Sequence, residues 1–267
     1  MCGTGKLEDF DASGIPPLFQ QSNVVLFRGF DAGQDQFRIF SSKLSREFVT
    51  HVNFSREPYG DRTMTSVSPG KDHFFAHAEM GYLPFKPDVA WFYCEKPARK
   101  GGETTIYDGV QALKQLGKET RRLFEEKRIL FCLTLPVSVW SEIAPDKSLL
   151  TIYLSKFDSK VFSFEFDEAD FLHTRFVSSA IANTRYNGHS AFCNSLLDSN
   201  VPLFEDGSPI PKSAIYDVIS VTEALSIPIM WQAGDVLMLD NSRFMHGRRE
   251  FEGQERKVLV RFSNVAF

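Results

Sequence analysis

The sequence predicts a mainly β fold, a β-sandwich or jelly roll with peripheral helices, and three observations support this prediction. Short runs rich in β-branched and aromatic residues recur along the 267-residue chain between turn residues. Only three segments carry apolar residues at helical spacing. No internal repeat and no long Pro/Gly/Ser linker interrupts the chain, so residues 1–267 are expected to form a single domain.

Eight segments are expected to be strands because each is short, largely apolar and bounded by residues that favour turns. Two pairs of these segments flank turns, at Gly101–Gly102 and at Gly234–Asp235. In chain order the expected strands are 23–27, 89–93, 103–107, 129–135, 190–193, 227–231, 236–240 and 257–262. A fold built from many short strands allows strands that are far apart in sequence to face each other across the interior.

Three segments are expected to be amphipathic helices because apolar residues recur in them at intervals of three or four. These helices are 35–48, 110–128 and 212–225. Segment 55–72 is rich in turn residues and is expected to form a loop. Segment 136–200 mixes both periodicities, and only its strand near 190–193 is predicted.

The composition is typical of an ordinary globular protein. Hydrophobic residues make up 43% of the chain and charged residues 24%, and the 26 phenylalanines indicate an interior rich in aromatic rings. The net charge of −4 provides no basic surface for nucleic acid or for an anionic membrane.

The cysteines and the N-terminus favour a cytoplasmic location. The four cysteines are scattered and form no Cys-x-x-Cys pair, which is typical of reduced thiols and argues against a disulfide framework. The segment from Met1 to Phe10 carries three charged residues and lacks the apolar core of a secretory signal. No apolar run approaches 18 residues, so no membrane span is expected.

Three residues have the chemistry of a mononuclear metal site. Two histidines and one carboxylate are the ligand set of non-haem Fe(II), and this set leaves coordination positions open for co-substrate and dioxygen. His77 and Glu79 are two residues apart, so on a strand their side chains leave the same face. His246 would come from a distant strand. With 6 histidines and 34 acidic residues, roughly one His-x-acid pair is expected by chance, so the surrounding motifs must decide.

Five segments, taken in order, resemble motifs of the taurine dioxygenase and clavaminate synthase-like family of Fe(II)/2-oxoglutarate oxygenases. They are VLFRGF at 25–30, FAHAEM at 75–80, FYCE at 92–95 with GGET at 101–104, WQAGD at 231–235 with LDN at 239–241, and MHGRREFEG at 245–253. The resemblance therefore extends over most of the chain.

The resemblance implies a double-stranded β-helix, or jelly roll, in which His77, Glu79 and His246 hold Fe(II). It also implies 2-oxoglutarate and dioxygen as co-substrates. Halogenating relatives carry a small residue in place of the acidic ligand, so Glu79 argues for oxygen insertion or desaturation.

The far carboxylate of 2-oxoglutarate needs a cationic partner, and arginine suits it best because its planar fork matches a carboxylate. The resemblance assigns part of this role to Thr104 and part to an arginine about a dozen residues after the second histidine. Simple alignment puts Lys257 at that arginine's position. The alternatives are Arg261, which we rank first, Arg256, which we rank second, and Lys257 acting as a point charge.

Four other residues are weaker candidates. Asn194 resembles a family residue at the mouth of the active site and is a candidate for substrate contact, although a buried asparagine that satisfies main-chain groups fits equally well. Arg248 either shapes a loop or takes part in function. His73 is expected near the pocket but not as a ligand. Asp240 either orients His246 or caps a turn, and the turn is favoured.

The predicted function is an iron- and 2-oxoglutarate-dependent hydroxylase acting on an unactivated C–H bond. The expected substrate is a small amino-acid-like, carboxylic or sulfonic acid of specialised metabolism, either free or tethered to a carrier. Segments 55–72 and 136–200 are expected to set its specificity. One alternative is a non-catalytic or differently metallated β-barrel of the same fold. Another is an iron enzyme that turns over without 2-oxoglutarate.

Overall fold

The computed structural model of the chain describes residues 1–50, 56–60, 63–198, 203–253 and 256–267. The α-helices in these ranges are α1 (Ile15–Ser22), α2 (Gln34–Lys43), α3 (Gly109–Gln115), α4 (Lys118–Glu126), α5 (Val137–Trp140), α6 (Lys147–Leu154) and α7 (Lys212–Ala224). Short 3-10 helices cover Leu7–Asp9, Ala12–Gly14 and Leu196–Asp198. None of the helices in the described ranges has both the length and the apolar character needed to cross a membrane.

Strands make up most of the remaining regular structure. In chain order they are β1 (Val24–Phe27), β2 (Ser45–Phe48), β3 (Pro58–Tyr59), β4 (Met64–Ser66), β5 (Phe74–His77), β6 (Val89–Lys96), β7 (Lys100–Gly101), β8 (Thr104–Asp108), β9 (Ile129–Leu135), β10 (Phe162–Phe166), β11 (Leu172–Ser178), β12 (Ile181–Asn183), β13 (Ser190–Phe192), β14 (Leu203–Phe204), β15 (Ile227–Ile229), β16 (Val236–Asp240), β17 (Phe244–Arg248), β18 (Phe251–Glu252) and β19 (Lys257–Val265).

Two antiparallel sheets stack face to face and form the jelly roll. The larger sheet has the order β1-β16-β6-β19-β4-β3, with β2 added beside β19, and the smaller sheet has the order β15-β8-β17-β5. Side chains from both sheets share one buried apolar cluster that includes Phe92 of β6, Ile106 of β8 and Val260 of β19. Facing sheets whose inner side chains interdigitate are the usual structure of a β-sandwich core.

Helices cover the outer face of each sheet. Against the larger sheet, Phe37 and Phe40 of α2 pack onto Trp91 and Tyr93 of β6, and the rings of Phe37 and Tyr93 stack with centroids 5.4 Å apart. Against the smaller sheet, α3, α4 and α7 bury their apolar faces with Tyr107 of β8 and Met245 of β17. The two sheets are therefore buried on both sides.

Alternation along β19 decides which of its residues reach the interior between the sheets. Val258, Val260 and Phe262 belong to the cluster between the sheets, whereas Leu259 belongs to the cluster beneath α2. Because side chains alternate along a strand, Arg261 points to the same outer side as Leu259.

The predicted fold class is confirmed, and the departures from the predicted elements have local causes. The expected helix 35–48 ends at Lys43 because residues 45–48 pair with β19 as β2. The expected helix 110–128 is two helices, α3 and α4, that meet at Gly117, whose N–H donates to the Asp217 carboxylate of α7. The expected helix 212–225 is α7. Segment 136–200 supplies α5, α6 and the strands β10 to β13, and β10 and β11 join β9 and β14 in a further sheet with the order β10-β11-β9-β14.

Candidate metal centre

Pairing of β5 with β17 brings two histidines together. His77 and His246 are direct partners in this antiparallel pair, and their ring centroids lie 4.3 Å apart. Each residue is only 5% exposed. Since directly opposed residues of an antiparallel pair point to the same face, both imidazoles enter the space between the sheets.

Glu79 reaches the same space from just beyond the end of β5, and Asn241 fixes its main chain. The Asn241 side chain accepts a hydrogen bond from the Glu79 N–H at 2.8 Å and donates one to the Glu79 carbonyl at 2.9 Å. The same amide donates to the Pro87 carbonyl at 2.9 Å, and Asn241 is fully buried. Asn241 therefore fixes the main-chain position from which the Glu79 side chain extends.

The three side chains form a set of metal donors. One donor atom from each of His77, Glu79 and His246 can be chosen so that all three lie within 4.8 Å of one another, and all three residues are buried. The Nε2 atom of His246 lies 3.5 Å from a carboxylate oxygen of Glu79. Two imidazoles and one carboxylate suit a divalent first-row transition metal such as Fe(II).

A hydrogen bond to the His77 ring and the burial of the His246 ring both favour metal binding. The Nδ1–H of His77 donates to the Phe75 carbonyl at 2.9 Å, which leaves Nε2 with its lone pair. Burial lowers the pKa of His246 to about 4, so its ring is neutral at neutral pH. Its buried Nδ1 has no hydrogen-bond partner among the described residues. The donor set therefore fits a metal ion.

Arg256 and Thr104 lie on the wall of the same cavity, a space of about 40 Å³ that also touches the three donor residues. Arg256 donates from Nε to the Gly102 carbonyl at 2.7 Å and from Nη2 to Thr104 Oγ1 at 3.3 Å. Gly102 has a φ of +71°, and a Cβ there would lie 3.0 Å from Cδ of Arg256. The glycine therefore leaves room for the arginine as well as permitting the turn.

The guanidinium of Arg256 remains charged and has no carboxylate partner at ion-pair distance among the described residues. Burial lowers its pKa to about 10, which still leaves it protonated at neutral pH. Within the described ranges no carboxylate lies at ion-pair distance from it. A buried cation without a counter-ion is costly, so this cavity wall favours an anionic ligand.

Arg261 lies outside this cavity, and its first rank for the co-substrate carboxylate was therefore wrong. Its Nη1 donates to Ser41 Oγ at 2.7 Å, and its Nη2 donates to Thr63 Oγ1 at 2.6 Å. The guanidinium carbon also lies 3.5 Å from the ring centroid of Phe48. Arg261 is on the outer face of β19, where it ties the larger sheet to α2.

Lys257 is also directed away from the cavity. Its Nζ lies 2.9 Å from a carboxylate oxygen of Glu95, and about a third of its side chain is exposed. Of the three residues considered for the carboxylate, only Arg256 lines the space that contains the metal donors.

Asn194 supports the donor strand and does not line the cavity, which corrects the expected substrate contact. Its side chain donates to the Ala180 carbonyl and accepts from the Leu196 N–H, both at 2.9 Å. Its own carbonyl accepts from the Ala78 N–H at 2.8 Å. Asn194 therefore fits the alternative interpretation, in which a buried asparagine satisfies main-chain groups.

The remaining weaker candidates have structural contacts. Arg248 donates to the main-chain carbonyls of Ser68 and Asp72, so it shapes that loop and also lines the cavity. His73 contacts Glu223 at 3.2 Å. Asp240 accepts from Ser242 N–H at 2.7 Å and from its hydroxyl at 2.6 Å, which is the turn-capping role.

Sequence reasoning did not identify Arg56 as a site residue. Its Nη2 lies 3.5 Å from Glu79 Oε2, its side chain is 7% exposed, and it lines the cavity. The only signal in the sequence was an arginine within the turn-rich segment 55–72, because no motif or periodicity marks its position.

Comparison with known proteins identifies a family and two relatives that align over most of their length. The family described as "Taurine catabolism dioxygenase TauD, TfdA family" matches residues 5–262. The dapdiamide synthesis protein DdaC of Enterobacter agglomerans is 26% identical over 285 residues, which cover 95% of this chain and 85% of DdaC. A clavaminate synthase-like protein of Arabidopsis thaliana is 27% identical over 287 residues, covering 92% of this chain and 83% of the relative.

A solved structure shares the fold. PvcB of Pseudomonas aeruginosa superposes with a TM-score of 0.59 at 15% identity, over 97% of this chain and 81% of PvcB. A further structure of PvcB describes it as an Fe, alpha-ketoglutarate dependent oxygenase from an isonitrile synthetic pathway.

Replacing Asn241 with alanine should weaken metal binding although no donor is removed. The change frees the main chain of Glu79, so we expect the dissociation constant for Co(II) to rise about tenfold, as for other residues that orient metal ligands. Isothermal titration calorimetry measures this. Asn183→Ala, at an exposed position on β12, is the control and should bind Co(II) like the unaltered protein. Equal affinities for all three proteins would contradict the assigned role of Asn241.

Proposed function

The chain belongs to the TauD/TfdA family of dioxygenases, and on this premise we propose the reaction that it performs. It is a non-haem iron enzyme that uses 2-oxoglutarate and dioxygen as co-substrates. It hydroxylates an unactivated C–H bond of a small amino-acid-like, carboxylic or sulfonic acid. The observation that carries this proposal is the buried set of donors from His77, Glu79 and His246 within 4.8 Å of one another.

His77, Glu79 and His246 would hold the iron. The bound iron, with 2-oxoglutarate and dioxygen, supplies the oxidising power that protein side chains lack. The protein keeps the His246 imidazole neutral by burying it, fixes the tautomer of His77 through Phe75 and anchors Glu79 through Asn241. Because Glu79 fills the position of the acidic donor, the proposed outcome is hydroxylation and not halogenation.

Arg256 and Thr104 would bind the carboxylate of 2-oxoglutarate that is remote from the metal. Arg256 is charged, buried and without a carboxylate partner in the described part of the chain, and it already donates to Thr104. Trp231 donates to the same threonine oxygen at 3.1 Å, which fixes the side chain of Thr104. An anionic ligand would replace the missing counter-ion.

The substrate is proposed to be a small molecule of specialised metabolism. DdaC is described as a dapdiamide synthesis protein, and PvcB as part of an isonitrile synthetic pathway. These descriptions support a substrate of specialised metabolism, and we propose that it is amino-acid-derived, either free or tethered to a carrier. All four cysteines are free thiols, which supports a cytoplasmic enzyme, and we propose that residues 1–267 act as one catalytic domain.

The alternative of a non-catalytic barrel loses its main support. That support was Lys257 at the aligned position of the co-substrate arginine, whereas Arg256 occupies the cavity wall. No specific observation therefore favours a non-catalytic barrel.

Conversion of 2-oxoglutarate to succinate tests the proposal. When the anaerobic protein with Fe(II) and 2-oxoglutarate is exposed to air, we expect iron-dependent succinate, which substrate should accelerate. Glu79→Ala removes one metal donor and should abolish succinate formation, because two histidines alone no longer complete the site. Glu126→Ala, an exposed change on α4, is the matched control and should keep full activity. Succinate formation that is absent from the unaltered protein, or that persists in Glu79→Ala, would contradict the proposal.

Arg256→Gln and Lys257→Gln form a second test, on neighbouring residues of which only the first lines the cavity. Loss of charged hydrogen bonds costs about 1.5–3 kcal/mol, so Arg256→Gln should raise the KM for 2-oxoglutarate roughly tenfold to a hundredfold. Lys257→Gln should leave that KM unchanged, since Lys257 pairs with Glu95 outside the cavity. Succinate formation against 2-oxoglutarate concentration measures both. The reverse pattern would assign the carboxylate to Lys257.

A further inference from the structure

Arg248 lies on the same face of the smaller sheet as His246 and Thr104. It follows His246 by two residues on β17, so both side chains leave the same face of that strand. In the antiparallel pair of β17 with β8, Arg248 is directly opposite Thr104, and directly opposed side chains are close neighbours on one face. Arg248 is 8% exposed and lines the metal cavity together with Thr104 and Arg256.

Arg248 and Arg256 are also close to each other. Their guanidinium carbons lie 5.7 Å and 5.8 Å from the ring centroid of Phe251, so both cations pack against one ring. Nη2 of Arg256 donates to Thr104, the strand partner of Arg248, at 3.3 Å. Burial lowers the pKa of Arg256, and the positive charge of Arg248 lowers it further. Neighbouring cations repel each other, and an anion bound by both would offset this repulsion.

The contacts that Arg248 makes leave part of its guanidinium for a ligand. Nη1 donates to the Ser68 carbonyl at 2.8 Å, while Nε and Nη2 donate to the Asp72 carbonyl at 3.4 Å and 3.2 Å. Arginine carries five N–H donors, and these bonds use three of them. Within the described ranges no carboxylate lies at ion-pair distance from Arg248. An anionic ligand could therefore bind to Arg248 without breaking its contacts with the loop.

A second and larger cavity, of about 660 Å³, meets the metal cavity at the two arginines. Among the described residues, those that line both cavities include no acidic side chain. They are Val67, Ser68, Arg248 and Arg256. The boundary between the two cavities therefore favours an anionic group over a cationic one.

We propose that Arg248 is a second arginine for the carboxylate of 2-oxoglutarate that is remote from the metal, so that Arg248 and Arg256 share this carboxylate. This inference rests on the proposed function and adds to it a residue that selects the co-substrate. The selected class is a 2-oxo acid with a second carboxylate. A 2-oxo acid with an apolar end is rejected because it leaves both cations without a partner.

A purely structural role for Arg248 has a different signature. If Arg248 only holds the loop at Ser68 and Asp72, its replacement disturbs the cavity for every 2-oxo acid alike. If Arg248 binds the remote carboxylate, its replacement weakens only those acids that carry this group. 2-Oxopentanoate separates the two roles, because it keeps the 2-oxo acid group and has a methyl group in place of the remote carboxylate.

Calorimetric titration of the Co(II)-loaded protein with the two acids tests the proposal. The unaltered protein should bind 2-oxoglutarate at least about tenfold more tightly than 2-oxopentanoate. Arg248→Gln should raise the dissociation constant for 2-oxoglutarate about tenfold and leave that for 2-oxopentanoate unchanged. Arg248→Lys keeps the positive charge and should raise the constant for 2-oxoglutarate less than Arg248→Gln does.

The neighbouring Arg249 provides the matched control. Its side chain is exposed, contacts the Ser226 hydroxyl at 3.5 Å and is absent from the described lining of both cavities. Arg249→Gln should therefore bind both acids like the unaltered protein. The double variant Arg248→Gln/Arg256→Gln should bind the two acids with equal affinity, because both proposed partners of the remote carboxylate are gone. Circular dichroism establishes that all variants are folded.

Three results would overturn the proposal. They are an Arg248→Gln protein that loses affinity for both acids alike, an Arg248→Gln protein that binds both acids normally, and a double variant that binds 2-oxoglutarate as well as Arg256→Gln alone. In each case succinate formation by the unaltered protein leaves the proposed function standing. If the unaltered protein forms no succinate and Arg248→Gln weakens 2-oxoglutarate alone, the role of Arg248 stands and the oxygenase fails.

Discussion

The close pairing of β5 with β17 is the constraint on which the rest of the site depends. It sets His77 opposite His246 and brings their ring centroids to 4.3 Å. A Cβ at Gly247 would lie 2.3 Å from the Phe74 carbonyl, so the close approach of the two strands requires glycine beside the second histidine. If this pairing were shifted by one residue, the side chains of the shifted strand would change face. The two histidines could then not bind the same ion.

Electrostatics around this pair explains why the cavity suits anionic ligands. Three arginines, Arg56, Arg248 and Arg256, line a space in which Glu79 is the single acidic residue of the described lining. Arg248 donates to main-chain carbonyls and shapes a loop, whereas the buried Nε of Arg56 has no hydrogen-bond partner among the described residues. A metal ion would add further positive charge. The described lining of the cavity therefore carries more positive than negative side chains, which favours anionic ligands.

The sequence predicted the fold class and named the three donor residues that the structure brings together, whereas it ranked Arg256 second and did not mark Arg56. His77 and Glu79 could be identified because their spacing matches a strand and their motif is specific. The sequence could not decide between Arg256 and Arg261, because both faces of β19 are buried and hydrophobic alternation therefore did not reveal which face meets the cavity. Arg56 lies in a segment without periodicity, and its approach to Glu79 is a tertiary contact that no local pattern encodes.

A crystal structure grown anaerobically with excess Fe(II) and measured at the iron absorption edge tests the central claim most directly. The account predicts one strong anomalous peak within bonding distance of His77, Glu79 and His246, the three buried donors. A peak at other residues, or no peak between these three side chains despite excess iron, would contradict it.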